Sequence, residues 1–125
     1  MQKKINTEKA PGAIGPYSQA VEIDSLVYTS GQLGIDPATG ALAEGVEAQA
    51  KQSLENVKAI LEQAGLTMDH VVKTLVFLKD MGDFAAVNGI YSQYFHGEVL
   101  PARSCVAVAG LPKGGLVEIE VIAKK

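Results

Sequence analysis

Cysteine and histidine are nearly absent from this 125-residue sequence, which contains one cysteine, Cys105, and two histidines, His70 and His96. A single cysteine excludes a disulfide within the chain and leaves no cysteine cluster that could bind a metal ion. With only two histidines, a histidine-rich metal site is also disfavoured. The sequence therefore predicts a protein that depends little on cofactors.

Long apolar runs and an excess of basic charge are missing as well. No apolar run approaches the roughly 20 residues that cross a bilayer. The first residues, MQKKINTE, have no apolar stretch after the lysines and do not resemble a secretory signal. The 11 basic and 14 acidic side chains give a formal charge of −3, which disfavours nucleic acid or an anionic membrane as the main partner. We therefore expect a cytoplasmic protein that binds neither nucleic acid nor a membrane.

The sequence does contain enough apolar material for one folded domain. Hydrophobic residues make up 47% of the chain and charged residues 20%, a balance typical of globular proteins. The length is that of one domain, and we treat residues 1–125 as a single unit. Glycine and proline are spread through the sequence as turn residues, without a linker, repeat or low-complexity segment.

The hydrophobic pattern predicts the element order β-β-α-β-α-β-β. Apolar residues at three- and four-residue steps indicate a helix over residues 46–64, with Gly65 as its C-terminal capping glycine. A second helix is predicted over residues 84–95, with Asp80 or Asp83 as its N-terminal cap. The segments with the composition of strands are residues 18–23, 26–30, 71–78, 104–109 and 116–123.

These elements predict an α+β fold in which both helices cover one face of a mixed sheet. The segments 71–78 and 104–109 are apolar on both faces, and strands of this kind require cover on both sides. Two helices can cover only one face. Burial against other copies of the chain would cover the second face, which predicts a closed homo-oligomer. The alternative is that loops cover it.

No standard catalytic motif is present, because GxGxxG, GxSxG, CxxC and HExxH are all absent. The glycines and lysine of residues 109–115 lack P-loop spacing and are more typical of a hairpin turn. Cys105 is more readily a small buried hydrophobic residue than a nucleophile, although Arg103, two residues away, could lower its pKa. His96 is expected near a helix C-terminus, and His70 carries no functional signal.

Charged side chains beside apolar strands are the candidates for chemistry. Arg103 precedes the strand at residues 104–109, and arginine is suited to binding a planar carboxylate through two hydrogen bonds. Glu118 and Glu120 alternate with apolar residues in the last strand and therefore share one face. On a buried face these acids must be paired or functional, whereas on a solvated face they are ordinary surface residues.

A hairpin between the last two strands would keep these charged groups apart. With the turn at residues 112–115, Glu118 would face Ala109, and Arg103 would face Lys124. Ala109 and Arg103 would then lie about 20 Å apart along one strand. Arg103 and Glu118 of one chain could not contact the same small ligand, so a site that uses both would take them from different subunits.

Five longer motifs follow one another along essentially the whole chain: IGPYSQA (residues 14–20), TSGQLG (29–34), FAAVN (84–88), PARSCVAVA (101–109) and LVEIEVIA (116–123). In this combination and order they resemble the Rid family, also called YjgF or reactive-intermediate deaminases. The resemblance implies a chorismate-mutase-like α+β fold and a homotrimer with sites in the clefts between subunits. It also implies cofactor-free hydrolysis of small 2-imino acids, the products of pyridoxal-phosphate dehydratases, to 2-keto acids and ammonia.

The resemblance further assigns residues to the site. Arg103 matches the arginine that binds the substrate carboxylate, and Glu118 matches the acid that positions the attacking water. Cys105 matches a cysteine that lies beside the ligand and acts mainly through its backbone. The residues that match those lining the cleft are Tyr17, Ser30, Gly31 and Asn88. Ala107 and Gly110 depart from the family pattern of Glu and Arg, which affects ion pairing at the strand end and the preferred substrate side chain.

Three functions are compatible with these residues. The leading hypothesis is a 2-iminobutanoate/2-iminopropanoate deaminase, in which an already electrophilic imine carbon needs orientation and an activated water rather than a covalent nucleophile. A regulatory protein that senses 2-keto acids would require Arg103 but not Glu118. An endoribonuclease or translation inhibitor, an activity ascribed to some family members, is disfavoured by the acidic charge balance and the lack of basic clusters.

Overall fold

The sheet is built around the strand at residues 71–78, which the sequence predicted with the correct bounds. A computed structural model describes all 125 residues. The strands are β1 (Lys3–Ile5), β2 (Ala20–Ile23), β3 (Leu26–Thr29), β4 (Gln32–Leu33), β5 (Val71–Leu78), β6 (Ala102–Ala107) and β7 (Val117–Lys124), and the helices are α1 (Val46–Gln63) and α2 (Phe84–Tyr91). Short 3₁₀ turns lie at Met68–His70, Met81–Asp83 and Pro112–Gly114.

All seven strands form one mixed sheet. Its order is β1-β2-β3-β7-β5-β6, and β4 pairs with β7 beyond the end of β3. Strands β5 and β6 are parallel and are connected through α2, whereas every other pair is antiparallel. The predicted α+β fold with one sheet and two helices is therefore confirmed.

Helix α1 has the bounds and the C-terminal cap that the sequence predicted, within one residue. Its fully buried apolar residues follow the predicted spacing: Leu54, Val57, Ile60 and Leu61. After the helix, the amide of Gly65 donates to the carbonyl of Glu62, and the amide of Leu66 donates to the carbonyl of Leu61. Gly65 has a φ of +79°, a conformation in which glycine avoids the clash of a Cβ and ends a helix at low cost.

Helix α2 is shorter than predicted and ends at Tyr91 instead of residue 95. The amides of Gln93 and Tyr94 donate to carbonyls three residues back rather than four, so the chain tightens into turns that cannot propagate an α-helix. Consequently His96 lies beyond the helix and not at its C-terminal cap. Asp80 caps the preceding 3₁₀ turn.

The predicted hairpin between the last two strands is wrong. Strand β6 runs parallel along one edge of β5, and β7 runs antiparallel along the other edge, so that β5 separates them. The connection crosses the end of β5, where the amide of Val108 donates to the carbonyl of Leu78 at 2.8 Å. Strand β5 is paired along both of its edges, and these pairings between strands distant in sequence override the local turn signal.

Both helices lie on one face of the sheet. Helix α1 contacts β7 and α2, and α2 reaches β5 through a hydrogen bond between Tyr91 and Thr74. The sheet residues buried beneath the helices include Val76, Leu78, Val117, Ile119 and Val121. No helix of the structure combines the length and the apolar character needed to cross a membrane.

The opposite face of the sheet, which we call the helix-free face, carries the residues that alternate with the core positions. Tyr28 pairs there with Ile122, and Phe77 lies between Val106 and Glu118. Tyr28 is 40% exposed and Val106 is 45% exposed. Loops of the same chain therefore leave this face partly open. This observation argues against the alternative in which loops cover the second face of the sheet. Its burial against other copies stays a prediction.

The remaining strand predictions differ at their ends and miss two short strands. Strand β2 starts at Ala20 rather than at residue 18, and β6 spans Ala102–Ala107 rather than residues 104–109. Strands β1 and β4 were not predicted, because segments of three and two residues are too short to show an alternating pattern.

Candidate functional site

A cleft of about 470 Å³ lies where β4 pairs with β7, beneath the loops that precede β2 and follow β4. We call it the acid cleft. Four of the predicted site residues line it: Tyr17, Ser30, Gly31 and Glu118. Its other charged lining residues are Asp36 and Lys113.

Glu118 is the chemically distinctive residue of the acid cleft. Strand β7 presents it opposite the buried core positions Val117 and Ile119. The one ion pair of the chain joins Lys125 to Glu22, so no cation of the same chain pairs with Glu118. Burial raises the pKa of Glu118, and the charge of nearby Glu120 raises it further. A carboxyl group with a raised pKa is suited to accepting and returning a proton near neutral pH.

Gly31 fixes the space that the Glu118 carboxylate occupies. A Cβ atom at Gly31 would lie 2.5 Å from Oε1 and 2.7 Å from Cδ of Glu118, closer than any side chain allows. The adjacent Ser30 is held by two hydrogen bonds, from its hydroxyl to the Ser18 carbonyl at 2.7 Å and from its amide to the Gln19 carbonyl at 2.8 Å. The backbone beside Glu118 is therefore rigidly supported.

Tyr17 lies at the outer side of the acid cleft and is 49% exposed. Its phenol oxygen accepts a hydrogen bond from the amide of Ile14 at 3.4 Å. Because the oxygen only accepts in this contact, its proton remains available to a ligand in the cleft.

Arg103, the only arginine of the chain, lies in a second group of residues on β6 and α2, which we call the arginine cluster. Its Nη1 donates to Oδ1 of Asn88 at 2.6 Å. The guanidinium carbon lies 4.7 Å from the ring centroid of Tyr91 and 5.4 Å from that of Phe84. Only one of the five guanidinium N–H groups is used by Asn88, so others remain for a planar carboxylate.

Cys105 belongs to the arginine cluster, two residues from Arg103 on the same side of β6. Burial raises the pKa of the Cys105 thiol, and the positive charge of Arg103 offsets this only in part. The thiol is therefore poorly ionised at neutral pH, which does not suit a nucleophile. The structure favours the reading in which Cys105 is a small packing residue.

The acid cleft and the arginine cluster lie on opposite faces of the sheet. Arg103 pairs with Thr74, which pairs in turn with the core residue Val121. Glu118 lies three residues from Val121 on β7 and points to the other face. Two strand spacings and three residues of rise place the Cα atoms of Arg103 and Glu118 about 14 Å apart. In one chain they cannot contact the same small ligand, although the cause is the sheet topology and not a hairpin.

The two departures from the family pattern lie outside the acid cleft. Ala107 is the exposed last residue of β6, and Gly110 lies in the following loop with open space where a Cβ would stand. Neither residue lines the acid cleft. No group of three or more His, Cys, Asp or Glu side chains is arranged to hold a metal ion.

Several residues of these sites were not found from the sequence. Asp36 and Lys113 enter the acid cleft through loops that carry no motif. Phe84 and Tyr91 face the Arg103 guanidinium, but in the sequence they are simply apolar and aromatic residues of the second helix. The available signal was the spacing of Phe84, Asn88 and Tyr91, since steps of four and three residues place side chains on one side of a helix.

Comparison with known proteins agrees with this arrangement. Residues 7–125 match the family described as Endoribonuclease L-PSP. The chain is 60% identical over 125 residues to a 2-iminobutanoate/2-iminopropanoate deaminase of Salmonella typhimurium, covering 98% of both chains. It is 55% identical over 124 residues to the mouse protein of the same name, covering 98% of this chain and 91% of the mouse protein.

Solved structures give the same result. Escherichia coli TdcF with bound serine has a TM-score of 0.95 and 50% identity, with 98% of each chain covered. RidA of an Antarctic Psychrobacter has a TM-score of 0.95 and 52% identity, covering 98% of this chain and 99% of that one. The family match covers nearly all of the sequence, and the relatives match over nearly their full length in sequence and in structure. The chain therefore belongs to the endoribonuclease L-PSP family, the family known as Rid or YjgF.

Proposed function

We infer that this protein is a 2-iminobutanoate/2-iminopropanoate deaminase, an enzyme that hydrolyses reactive imines to 2-keto acids and ammonia. The observation that carries this inference is the 60% identity, over 98% of both chains, with a protein of that name. Proteins of the same name from Escherichia coli and mouse are 54% and 55% identical. The proposal is also supported by an arginine with unused guanidinium donors and by a half-buried acid with a raised pKa, to which we assign the binding and proton-transfer steps.

In the proposed reaction, Arg103 binds the carboxylate of the imino acid and thereby orients its C=N bond. Glu118 accepts a proton from a water molecule as the water oxygen bonds to the imine carbon. Glu118 then returns this proton to the nitrogen, which gives a carbinolamine. A second transfer through Glu118 moves the hydroxyl proton to the nitrogen as the carbon–nitrogen bond breaks, so that ammonia leaves and the carbon keeps the water oxygen as a ketone. The raised pKa of Glu118 suits a group that must take up and release a proton in each cycle.

We propose that the complete site forms between two subunits of a homotrimer. The acid cleft and the arginine cluster lie on opposite faces of one sheet, so a ligand can contact both only when they come from different chains. The helix-free face supports assembly, because Tyr28 and Val106 are apolar and exposed beside the half-buried Phe77 and Ile122. Light scattering should give about three times the 13.1 kDa chain mass, and a stable monomer would exclude a shared site.

The shared site has a direct test in mixed assemblies. Arg103→Ala and Glu118→Gln chains are each expected to be inactive alone. When the two are unfolded, mixed in equal amounts and refolded, every mixed trimer should contain one site with both native residues. Activity should then recover to about a quarter of the native value per chain. No recovery from folded mixed trimers would show that the two residues do not act in one site.

The activity itself is tested by coupling the protein to a pyridoxal-phosphate-dependent dehydratase acting on threonine or serine. The absorbance of the released imine should decay faster as this protein is added, with ammonia and 2-keto acid formed in equal amounts. A decay rate that does not depend on the protein would exclude the deaminase function.

We propose that the enzyme works in the cytoplasm, beside the dehydratases that release its short-lived substrate.

A nuclease function is supported only by names, those of the family and of two similar solved structures. The acid cleft contains Asp36 and Glu118, and carboxylates repel the phosphates of RNA. Arg103 is the sole arginine of the chain, and one guanidinium neutralises little of a phosphate backbone. A regulatory protein that senses 2-keto acids would use the same Arg103, and the coupled assay separates it from an enzyme because it would show no turnover.

A further inference from the structure

We propose that Tyr91 is a positioning residue for Arg103, and that the hydroxyl of Thr74 holds Tyr91 in place. The inference deepens the proposed function, because it rests on Arg103 as the group that binds the substrate carboxylate. It is carried by a series of contacts that begins on the central strand β5, passes through α2 and ends at the guanidinium on β6.

The first contact fixes the hydroxyl end of the Tyr91 side chain. Thr74 is fully buried on β5, and its Oγ1 lies 2.8 Å from the phenol oxygen of Tyr91. A buried hydroxyl without a partner is costly, so this hydrogen bond strongly favours one orientation of the phenol. Burial also raises the pKa of Tyr91, which keeps the phenol protonated and able to take part in the bond over the physiological pH range.

The second contact places the ring against the guanidinium. Thr74 and Arg103 are direct partners in the parallel pairing of β5 with β6, so their side chains leave the sheet side by side. A ring tied to Thr74 consequently lies against its neighbour, and the guanidinium carbon of Arg103 is 4.7 Å from the Tyr91 centroid. At this distance the ring face attracts the cation.

Arg103 needs such support because it lies on an edge strand and has a long side chain. Without neighbours, its guanidinium would sample many rotamers, and ordering them on ligand binding would reduce affinity. Tyr91 and Phe84 provide two aromatic contacts, and Asn88 fixes one N–H at 2.6 Å. The guanidinium is thus oriented before a carboxylate arrives, with its remaining donors free.

Tyr91 also has a packing role, since its ring lies 4.5 Å from that of Phe95. The test must therefore separate loss of packing from loss of orientation. The chain offers a matched control in Tyr94, a half-buried tyrosine three residues further on. Its hydroxyl donates to Glu55 at 2.6 Å, and the rings that face the Arg103 guanidinium are those of Phe84 and Tyr91, not that of Tyr94.

The experiment measures the dissociation constant of 2-oxobutanoate by calorimetry on the assembled protein. Tyr91→Leu should raise this constant about 3- to 30-fold, the range expected for loss of a cation–π contact. Thr74→Val keeps the Tyr91 ring but removes the hydrogen bond that holds it. This substitution should also raise the dissociation constant, by a smaller factor. Tyr94→Leu should leave it within about twofold.

A second readout follows Arg103 directly. Because the chain has one arginine, the NMR correlation of its Nε–Hε group is unambiguous, and neighbouring aromatic rings shift it. Tyr91→Leu and Thr74→Val should move this signal in the absence of ligand, and Tyr94→Leu should not. If Tyr91→Leu fails to fold, Tyr91→Phe retains the ring and its core packing while removing the bond to Thr74, and should also move the signal.

The possible outcomes separate this inference from the function on which it rests. An unchanged dissociation constant and an unchanged Arg103 signal in folded Tyr91→Leu protein would overturn the positioning role. Equal effects of Tyr91→Leu and Tyr94→Leu would also overturn it, since both would then reflect general packing. If Arg103→Ala binds 2-oxobutanoate as well as the native protein does, the proposed function of Arg103 fails instead.

Discussion

Replacing Glu118 with glutamine removes one negative charge from the acid cleft while keeping the shape of the side chain. Proton transfer by a positioned side chain contributes about 10²- to 10⁴-fold to a rate, so kcat for imine hydrolysis should fall at least about 100-fold. Gly31 leaves the space for this side chain unchanged. Affinity for a 2-keto acid should persist or increase, because a neutral amide no longer repels the anionic ligand.

The same substitution should make the folded protein more stable at neutral pH. Burial and Glu120 raise the pKa of Glu118 above its ordinary value of 4.5, so the folded state binds this proton more tightly than the unfolded chain. The native protein therefore loses stability as pH rises from 4.5 through the raised pKa, whereas the Glu118→Gln protein does not. Because the carboxyl is half exposed and screened by solvent, the gain is below about 1 kcal/mol, or at most about 4 °C in Tm.

The dehydratase-coupled assay gives kcat, and thermal unfolding followed by circular dichroism gives Tm from about pH 4 to about pH 8. The Tm difference should disappear below pH 4.5. If both turnover and 2-keto-acid affinity stay within about twofold, Glu118 is an ordinary surface residue and the reasoning fails.

Glu120→Gln is the matched control for Glu118→Gln. Glu120 lies on the same strand face but does not line the acid cleft. Its removal should retain turnover and shift the acidic limb of the pH–rate profile to lower pH, because its charge helps to raise the pKa of Glu118. The opposite result would be loss of turnover in Glu120→Gln and normal turnover in Glu118→Gln. It would show that the proton-transferring acid is Glu120, two residues after the one assigned.

Three further predictions concern the neighbouring residues. Arg103→Ala should abolish 2-keto-acid binding with the fold intact, and Arg103→Lys should restore little, since an ammonium does not reproduce bidentate geometry; calorimetry with circular dichroism checks both. Gly31→Ala should lower kcat about tenfold or more while the protein stays folded, because its Cβ displaces the Glu118 carboxylate from a position 2.5 Å away. The titration midpoint of Cys105, followed by thiolate absorbance, should lie above the ordinary pKa of 9.0, and a midpoint below that value would restore Cys105 as a candidate nucleophile.

Much of the fold could be predicted because local pattern and tertiary burial agree. Strand β5 is apolar on both faces, which is what a central strand needs, and its predicted bounds are correct. Helix α1 combines regular apolar spacing with a glycine that must adopt a positive φ at its end. Where the chemistry of several neighbouring residues indicates the same element, the prediction is reliable.

The order of strands could not be read in the same way. A turn-rich segment at residues 112–115 predicts a hairpin locally, but it cannot reveal that β5 lies between β6 and β7. Pairing of strands that are distant in sequence is decided by the burial of whole faces. The local turn signal therefore gave the wrong neighbour for β7.

The sequence pointed to Arg103 and Glu118 as candidates for the site, but it did not point to the residues that hold Arg103 in place. Arg103 and Glu118 are conspicuous because each interrupts an apolar strand. Thr74 and Tyr91 fit the pattern of ordinary core positions, and only their contacts distinguish them. In the sequence, a buried residue that orients a functional group has the same pattern as a residue that only packs in the core.

Under the proposed shared site, the placement of Arg103 and Glu118 on opposite faces makes catalysis depend on protein concentration. If each site takes its two halves from different chains, a newly synthesised monomer binds anions weakly on one side, carries an acid on the other, and hydrolyses nothing. Serial dilution below the dissociation constant of the trimer should then reduce the rate more steeply than in proportion to the amount of protein. The enzyme would become active only as its chains accumulate, without any separate regulator.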